Sequence, residues 1–146
     1  MSSTPRSPAS PPAPAGLASL PRVFLIVGSL SLLVAMQLSA IGHHALDDVL
    51  TPAQLVSWFW AAELQSYHSL GLLLIALLAM RLGNPALLAW AGGLMIIGLF
   101  LFSGSIYLNV LGLLPIGGLA PMGGGSFMLG WLLVAVAAFR APKGSA

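Results

Sequence analysis

Four long apolar runs follow one another along this chain, separated by short polar or turn-forming segments. They cover about residues 23–42, 62–82, 86–108 and 122–140. Each is close to the roughly 20 apolar residues that an α-helix needs to cross the hydrocarbon core of a bilayer. The pattern therefore predicts an all-α membrane protein with four transmembrane helices.

A helix start precedes the second run. The segment Thr51–Gln54 offers a capping threonine, a proline for the first turn and the glutamine of a capping box. A helix from there to the next breaker, Gly83, would be about 45 Å long, which is more than one bilayer crossing requires. We therefore expect its first part, with Trp58 and Trp60, to lie as an amphipathic helix along the outer membrane interface.

Charged residues are distributed asymmetrically around these runs. The cations precede the first run, separate the second from the third, or follow the fourth: Arg6, Arg22, Arg81, Arg140 and Lys143. The carboxylates and histidines lie around the loop between the first two runs: His43, His44, Asp47, Asp48, Glu63 and His68. Because cytoplasmic loops carry the Lys/Arg excess, both termini are predicted to face the cytoplasm.

Composition excludes a soluble domain. The mean hydropathy is +1.00, and only 5% of the residues are charged, against roughly 25% in soluble proteins. The formal charge of +2 comes from the residues that flank the spans, which argues against a nucleic-acid partner. The chain has no cysteine, and therefore no disulfide, thiolate metal site or cysteine nucleophile.

The ends of the chain differ from its apolar middle. Residues 1–21 are rich in proline, serine and alanine and are predicted to form a disordered cytoplasmic tail. The first run lacks the features of a cleaved signal peptide, so we expect it to be retained as a span. The transmembrane domain is then residues 22–141, followed by a short cytoplasmic tail at 142–146.

Polar side chains concentrate in the outer half of the predicted bundle. Counting from the inner arginines at 1.5 Å per residue places Gln37 about 22 Å above Arg22 and His68 about 20 Å above Arg81. The predicted polar layer consists of Gln37, Glu63, Gln65, Tyr67, Ser103, Ser105 and Ser126. The inner half is almost purely apolar, so this layer is the candidate site of the chain.

The histidines allow several interpretations. His44 and His68, with His43, could meet near the outer interface and bind zinc, copper or haem iron. They could instead tie helix ends together by hydrogen bonds, or relay protons. No fixed ligand spacing such as H-E-x-x-H is present, so the sequence favours no particular metal or cofactor.

Small residues are frequent in the spans and predict close helix contacts. In the first span they are Gly28, Ser31, Ala35 and Ser39, and further packing glycines are predicted at Gly42, Gly104, Gly124 and Gly130. The connection from Asn109 to Gly125 is rich in proline and glycine, which predicts an irregular segment with flexible backbone before the fourth span.

Four segments of the chain carry a family resemblance. They are Ser39–Leu46 (SAIGHHAL), Glu63–Leu70 (ELQSYHSL), Leu101–Tyr107 (LFSGSIY) and Ala120–Trp131 (APMGGGSFMLGW). In this order they resemble the YgdD-like family of small membrane proteins, known as the domain of unknown function 423 family. The resemblance covers about residues 24–139 and implies a multi-pass protein of the bacterial inner membrane. It implies no activity.

Three positions depart from the family pattern. Ser39 stands where the family has its first glycine, His43 where it has alanine, and Ala120 where it has threonine. The doubled histidine is therefore a feature of this chain, and the resemblance gives no support to a role for His43.

Together these observations predict a non-catalytic, integral subunit of the inner membrane that binds other membrane proteins, a second copy of itself, or lipids. One alternative is a small carrier or channel that uses the outer polar layer as a binding site, although the apolar inner half offers no polar path for conduction. A second is a metal- or haem-binding protein that uses the histidines, and a third is an enzyme acting on a lipid or a quinone.

Overall fold

The computed structural model describes residues 19–82 and 85–142, and every regular element in these ranges is helical. The elements are α1 (Ser19–His44), α2 (Pro52–Ala79), α3 (Pro85–Gly98), a π-helix (Leu99–Gly104), α4 (Ser105–Val110), a 3-10 turn (Gly117–Leu119) and α5 (Ala120–Phe139). Four stretches are long and apolar enough to cross a membrane: Ser19–His44, Pro52–Ala79, Ala86–Val110 and Gly117–Phe139. The prediction of an all-α protein with four spans is confirmed.

The ends of the chain are described only in part. Helix α1 begins at Ser19, inside the stretch that the composition assigned to the tail. The rest of that predicted tail, and residues 143–146, lie outside the described residues.

Helix α2 starts as the sequence predicts. The Gln54 amide N–H donates to Thr51 Oγ1 at 3.4 Å, and the Thr51 amide N–H donates to Gln54 Oε1 at 2.9 Å, which is a complete capping box. From there α2 is one continuous helix to Ala79. Turns, rather than a separate helix, connect it to α1. The location of its first turns along the membrane interface stays a prediction.

Helices α1 and α2 form an antiparallel pair. A Cβ added at Gly28, near the start of α1, would lie 2.9 Å from the carbonyl oxygen of Ser69. At the other end of the pair, Trp58 is buried against Gly42, and its Nε1 donates to the Leu38 carbonyl oxygen at 2.8 Å. Glycine lets the two backbones approach closely at one end, and the indole fixes the other.

The third span and α5 form a second antiparallel pair. A Cβ added at Gly130 would lie 3.2 Å from the Ala91 carbonyl oxygen, and one added at Gly123 would lie 2.8 Å from the carbonyl carbon of Leu101. Helix α2 joins the two pairs, because it packs against α1 on one side and against α3, the π-helix and α4 on the other.

The third span contains one extra residue in a turn. The Ser105 amide N–H donates to the carbonyl oxygen of Phe100, five residues back, which is π-helical spacing. In an α-helix it would bond Leu101. The Ser105 hydroxyl instead contacts that carbonyl and the one of Phe102. The side chain thus supplies a donor to the carbonyl that the wide turn deprives of its usual partner.

The predicted irregular connection is shorter than expected. Residues 111–116 form turns, with Gly112 at a positive φ of 69°, a conformation that favours glycine. The segment from Gly123 to Ser126 is helical and belongs to α5. This agrees with a fourth span that starts at residue 122. Only the expectation of flexible backbone at Gly123 to Gly125 is wrong, because these residues are helical and Gly123 makes a close contact between α5 and the π-helix.

Candidate binding groove between α1 and the third span

A groove of about 400 Å³ lies between α1 and the third span. At the end of the bundle that carries Arg22, the buried ring of Phe24 fills the space between α1 and Gly92 of α3. Toward the opposite end a gap opens between the two elements. The walls of the groove are mainly apolar and include Val27, Leu30, Val34, Ile96, Leu99 and Phe100. Leu30 and Phe100 are 58% and 73% exposed, so the groove is open to the side, where a membrane protein meets lipid.

A largely buried hydrogen-bond network lies at the base of this groove, where Gln65 and Tyr107 are 7% and 9% exposed. Gln65, on α2, donates from Nε2 to the Ser31 carbonyl oxygen at 3.0 Å and to Ser31 Oγ at 3.3 Å. Its Oε1 accepts from the Tyr107 hydroxyl at 3.0 Å. The hydroxyls of Ser31 and Ser69 lie 2.8 Å apart, and Ser69 also donates to the Gln65 carbonyl at 2.6 Å. These four side chains form one connected network, which we call the floor network.

The π-helix positions the third span over this network. The buried Ser103 hydroxyl donates to the Ala61 carbonyl oxygen of α2 at 2.9 Å. One turn farther on, Tyr107 reaches the floor network, and its ring lies edge-on to Trp58 with centroids 4.7 Å apart. Gly104, between them, lines the groove without a side chain. A π-turn is frequently found at a functional site, and here it faces the groove.

A second, wider cleft of about 740 Å³ lies between the last turns of α1 and the first half of α2. It is lined by His43, His44 and Glu63, with Ser39 and Ser66 beside them. The ring of His43 stacks on Phe59 with centroids 4.2 Å apart. Glu63 accepts a hydrogen bond from the Tyr67 hydroxyl.

His68 faces α5 rather than this cleft. Its ring stacks on Phe127 with centroids 3.4 Å apart and an interplanar angle of 13°. Nδ1 lies 2.7 Å from the Leu64 carbonyl oxygen, and because a carbonyl only accepts, Nδ1 carries a proton. The structure thus does not bring His68 to His43 and His44. Within residues 19–82 and 85–142, no three histidine, aspartate or glutamate side chains come close enough to hold a metal ion.

The residues of the predicted polar layer differ in burial. Gln65, Ser103 and Ser105 are buried, Ser126 is partly buried on α5, and Gln37, Glu63 and Tyr67 are exposed. Sequence reasoning treated Ser31 only as a packing residue and did not identify Ser69. The spacing of four between Gln65 and Ser69 was the available signal, since it puts both on one helix face.

Two of the four predicted packing glycines lie in close helix contacts, and two do not. Gly42 and Gly130 lie in close contacts, against Trp58 and against Ala91 and Met95. A Cβ at Gly104 or Gly124 would meet its nearest neighbour only at 3.8 or 3.9 Å, which is ordinary van der Waals contact.

Comparison with known proteins identifies relatives that match most of the chain. The model of a family described as "Protein of unknown function (DUF423)" matches residues 38–124. The chain is 37% identical over 120 residues to the UPF0382 membrane protein YwdK of Bacillus subtilis, covering 82% of this chain and 98% of that protein. It is also 37% identical over 121 residues to a UPF0382 membrane protein of Staphylococcus epidermidis, covering 82% and 97%. No solved structure matches the chain.

Proposed function

The chain belongs to the DUF423 family of bacterial membrane proteins, and we propose that it is a non-catalytic accessory protein that binds a lipid or a membrane-protein partner in the groove between α1 and the third span. The observation that carries this proposal is the groove itself. It is an apolar, laterally open surface with the largely buried Gln65 and Tyr107 at its base, built at the one π-turn of the described chain.

The buried polar groups hold the helices together, which supports a non-catalytic role. Each buried side-chain nitrogen or oxygen in the described residues has a hydrogen-bond partner. Ser103 joins the π-helix to α2, and Gln65 joins α1, α2 and α4. Polar groups that hold helices together in this way have the same function as the interhelical hydrogen bonds of other membrane bundles.

We also propose that the protein lies in the inner membrane with both termini in the cytoplasm. Arg22 opens α1, Arg81 follows α2 and Arg140 follows α5. Helices α1 and α2 are antiparallel. Helix α5 runs parallel to α2, because Phe127 contacts His68 and, farther along both helices, Trp131 contacts Gly71. The three arginines therefore lie at the same end of the bundle. An end rich in arginine is the one retained in the cytoplasm.

Photo-crosslinking in the native membrane tests the groove. A photoreactive amino acid replaces Leu30, in the groove, or Leu132, on the outer face of α5; the two positions are 58% and 57% exposed. We expect the Leu30 variant to capture one defined lipid or protein, while the Leu132 variant captures the bulk lipids in proportion to their abundance. Adducts of the same composition at both positions would contradict the proposal.

The same preparation addresses the metal alternative. Stoichiometric zinc, copper or haem iron in the purified protein, lost on His44→Ala or His68→Ala, would replace the accessory role with a ligand site at the histidines.

A further inference from the structure

We propose that the partner in the groove is a second copy of this chain, and that the α1 helices of the two copies pack together with their Gln37 amides hydrogen-bonded to each other. This inference rests on the proposed function, because it names the occupant of the same groove. It follows from the low burial of α1, from a stripe of side chains along its uncovered side, and from the one amide in that stripe.

Helix α1 is the span that the rest of the bundle covers least. In its apolar stretch 17% of the residues are buried, compared with 50% in α2. Its main contacts are with α2, and Phe24 joins it to α3 near its start. The side of α1 that faces away from α2 is therefore left to lipid or to a partner.

A stripe of exposed or partly exposed side chains runs along this uncovered side. Its members are spaced alternately four and three residues apart: Val23, Val27, Leu30, Val34, Gln37 and Ile41. The middle three apolar members, Val27, Leu30 and Val34, form the α1 wall of the groove. Alternating spacings of four and three are those at which two parallel helices pack in a left-handed pair. Apolar residues in such a stripe suit lipid equally well, so the selection of a partner depends on Gln37.

Gln37 presents an amide that its own chain does not use. It is exposed, and its side chain has no hydrogen-bond partner among the residues that the structure describes. His44 ends α1 about 10 Å away, and the Cα–Cβ bond of a helical residue tilts toward the helix N-terminus. The amide thus leans away from the nearer end of its helix. An amide both donates and accepts, and lipid chains do neither, so Gln37 favours a partner that supplies a donor and an acceptor together.

A second copy supplies both groups at the level of Gln37. Copies inserted in the same way share one orientation, so the twofold axis that relates them runs along the membrane normal. Rotation about this axis leaves each residue at its own depth, whatever that depth is. The two Gln37 residues therefore lie level, and each Nε2 can donate to the Oε1 of the other copy. A single polar residue in an apolar helix seam fixes its register and the number of helices.

The groove can receive the second helix because it is open to the side. Phe100, on the wall formed by the third span, is 73% exposed and offers apolar contact to the partner's α1. No charged residue lines the groove, so nothing there repels an apolar helix. Twofold symmetry repeats the contact, which places the α1 of each copy beside the groove of the other.

Disulfide formation between single cysteines tests this interface, because the chain has no cysteine of its own. Val34 lies on the stripe, and Met36, two residues along, lies on the opposite side of α1; they are 48% and 64% exposed. Membranes containing the full-length Val34→Cys or Met36→Cys variant are treated with a mild oxidant. We expect Val34→Cys to form a disulfide dimer, at twice the 15.0 kDa of the chain, and Met36→Cys to stay monomeric despite its greater exposure.

Variants of Gln37 test whether the amide selects the second copy. Energy transfer between labelled copies in liposomes, at increasing ratios of lipid to protein, gives the dissociation constant. One interhelical hydrogen bond in a membrane changes affinity about threefold, so losing two in Gln37→Leu should raise the constant about tenfold. Gln37→Asn keeps an amide and should retain most of the affinity, and Met36→Leu is the control without effect. Gln37→Leu removes no hydrogen bond within the described chain, so folding of the single copy should be unchanged.

The outcomes separate this inference from the proposed function. Equal disulfide yields at Val34 and Met36, or none at Val34, would overturn the second copy. An unchanged dissociation constant for Gln37→Leu would overturn the amide pair. If the inference holds, the photoreactive Leu30 variant captures the chain itself. Capture there of one lipid or of a different protein would overturn the second copy and retain groove binding, whereas capture of bulk lipid alone would contradict both.

Discussion

A single methyl group at Gly123 should separate α5 from the π-helix. A Cβ at this position would lie 2.8 Å from both the Leu101 carbonyl carbon and the Phe102 Cα. These are backbone atoms, which cannot move aside as the end of a side chain can. Gly123→Ala therefore requires the two elements to shift apart, and we expect the π-turn to relax with them.

Two terms of opposite sign determine the effect of Gly123→Ala on stability. Overpacking a close contact typically costs about 1–3 kcal/mol, and the backbone contact here indicates the upper part of that range. Replacing glycine by alanine inside a helix returns about 1 kcal/mol. The free energy of unfolding should thus fall by about 1–2 kcal/mol.

Gly125 provides a matched control two residues along the same helix. A Cβ there meets no atom within 4 Å, so only the propensity term applies to Gly125→Ala. This variant should gain up to about 1 kcal/mol. Reversible unfolding of the two variants and the unmodified protein in mixed micelles, followed by far-UV circular dichroism, measures the differences. Equal stability of Gly123→Ala and Gly125→Ala would refute the close approach of α5 to the π-helix.

Three further substitutions test individual hydrogen bonds by the same unfolding assay. Trp58→Phe removes the bond to the Leu38 carbonyl and should lower stability by about 1 kcal/mol or more; Trp60→Phe, at an exposed position, should leave it nearly unchanged. Ser105→Ala removes the hydroxyl that bonds the Leu101 carbonyl and should cost about 1 kcal/mol; an unchanged free energy would mean that the π-turn does not depend on this side chain. Thr51→Ala removes the cap of α2 and should cost about 0.5–2 kcal/mol, whereas Thr51→Ser should restore most of it.

The parts of the fold that sequence reasoning identified follow from strong local signals. Span lengths come from the thickness of the bilayer, and the start of α2 comes from the capping chemistry of Thr51 and Gln54. The π-turn has no such signal, because one extra residue in a uniformly apolar span leaves the hydropathy pattern unchanged.

The candidate site was harder to predict for a reason specific to membranes. In water, an apolar stripe shows which helix face is buried, but lipid is as apolar as the helix contacts themselves. The sequence of α2 therefore does not show that His68 faces α5 while Glu63 faces the cleft beside His43. In the same way, the sequence around Gly123 is compatible with flexible backbone before the fourth span and with a close helix contact inside it, and the structure shows the second.

The most direct test is to fill the groove with a larger side chain and to measure the mass of the protein together with any molecule bound to it. Gly104 lines the groove, and a Cβ there would make only an ordinary contact, 3.8 Å from the Leu99 carbonyl oxygen, so Gly104→Leu should occupy the binding space. Gly93→Leu is the control, because Gly93 does not line the groove and a Cβ there would meet no atom within 4 Å. Native mass spectrometry of protein released gently from its own membrane should show one bound molecule of defined mass on the unmodified protein and on Gly93→Leu, and none on Gly104→Leu. The same bound mass on all three proteins, or on none, would contradict the claim that this groove is the binding site.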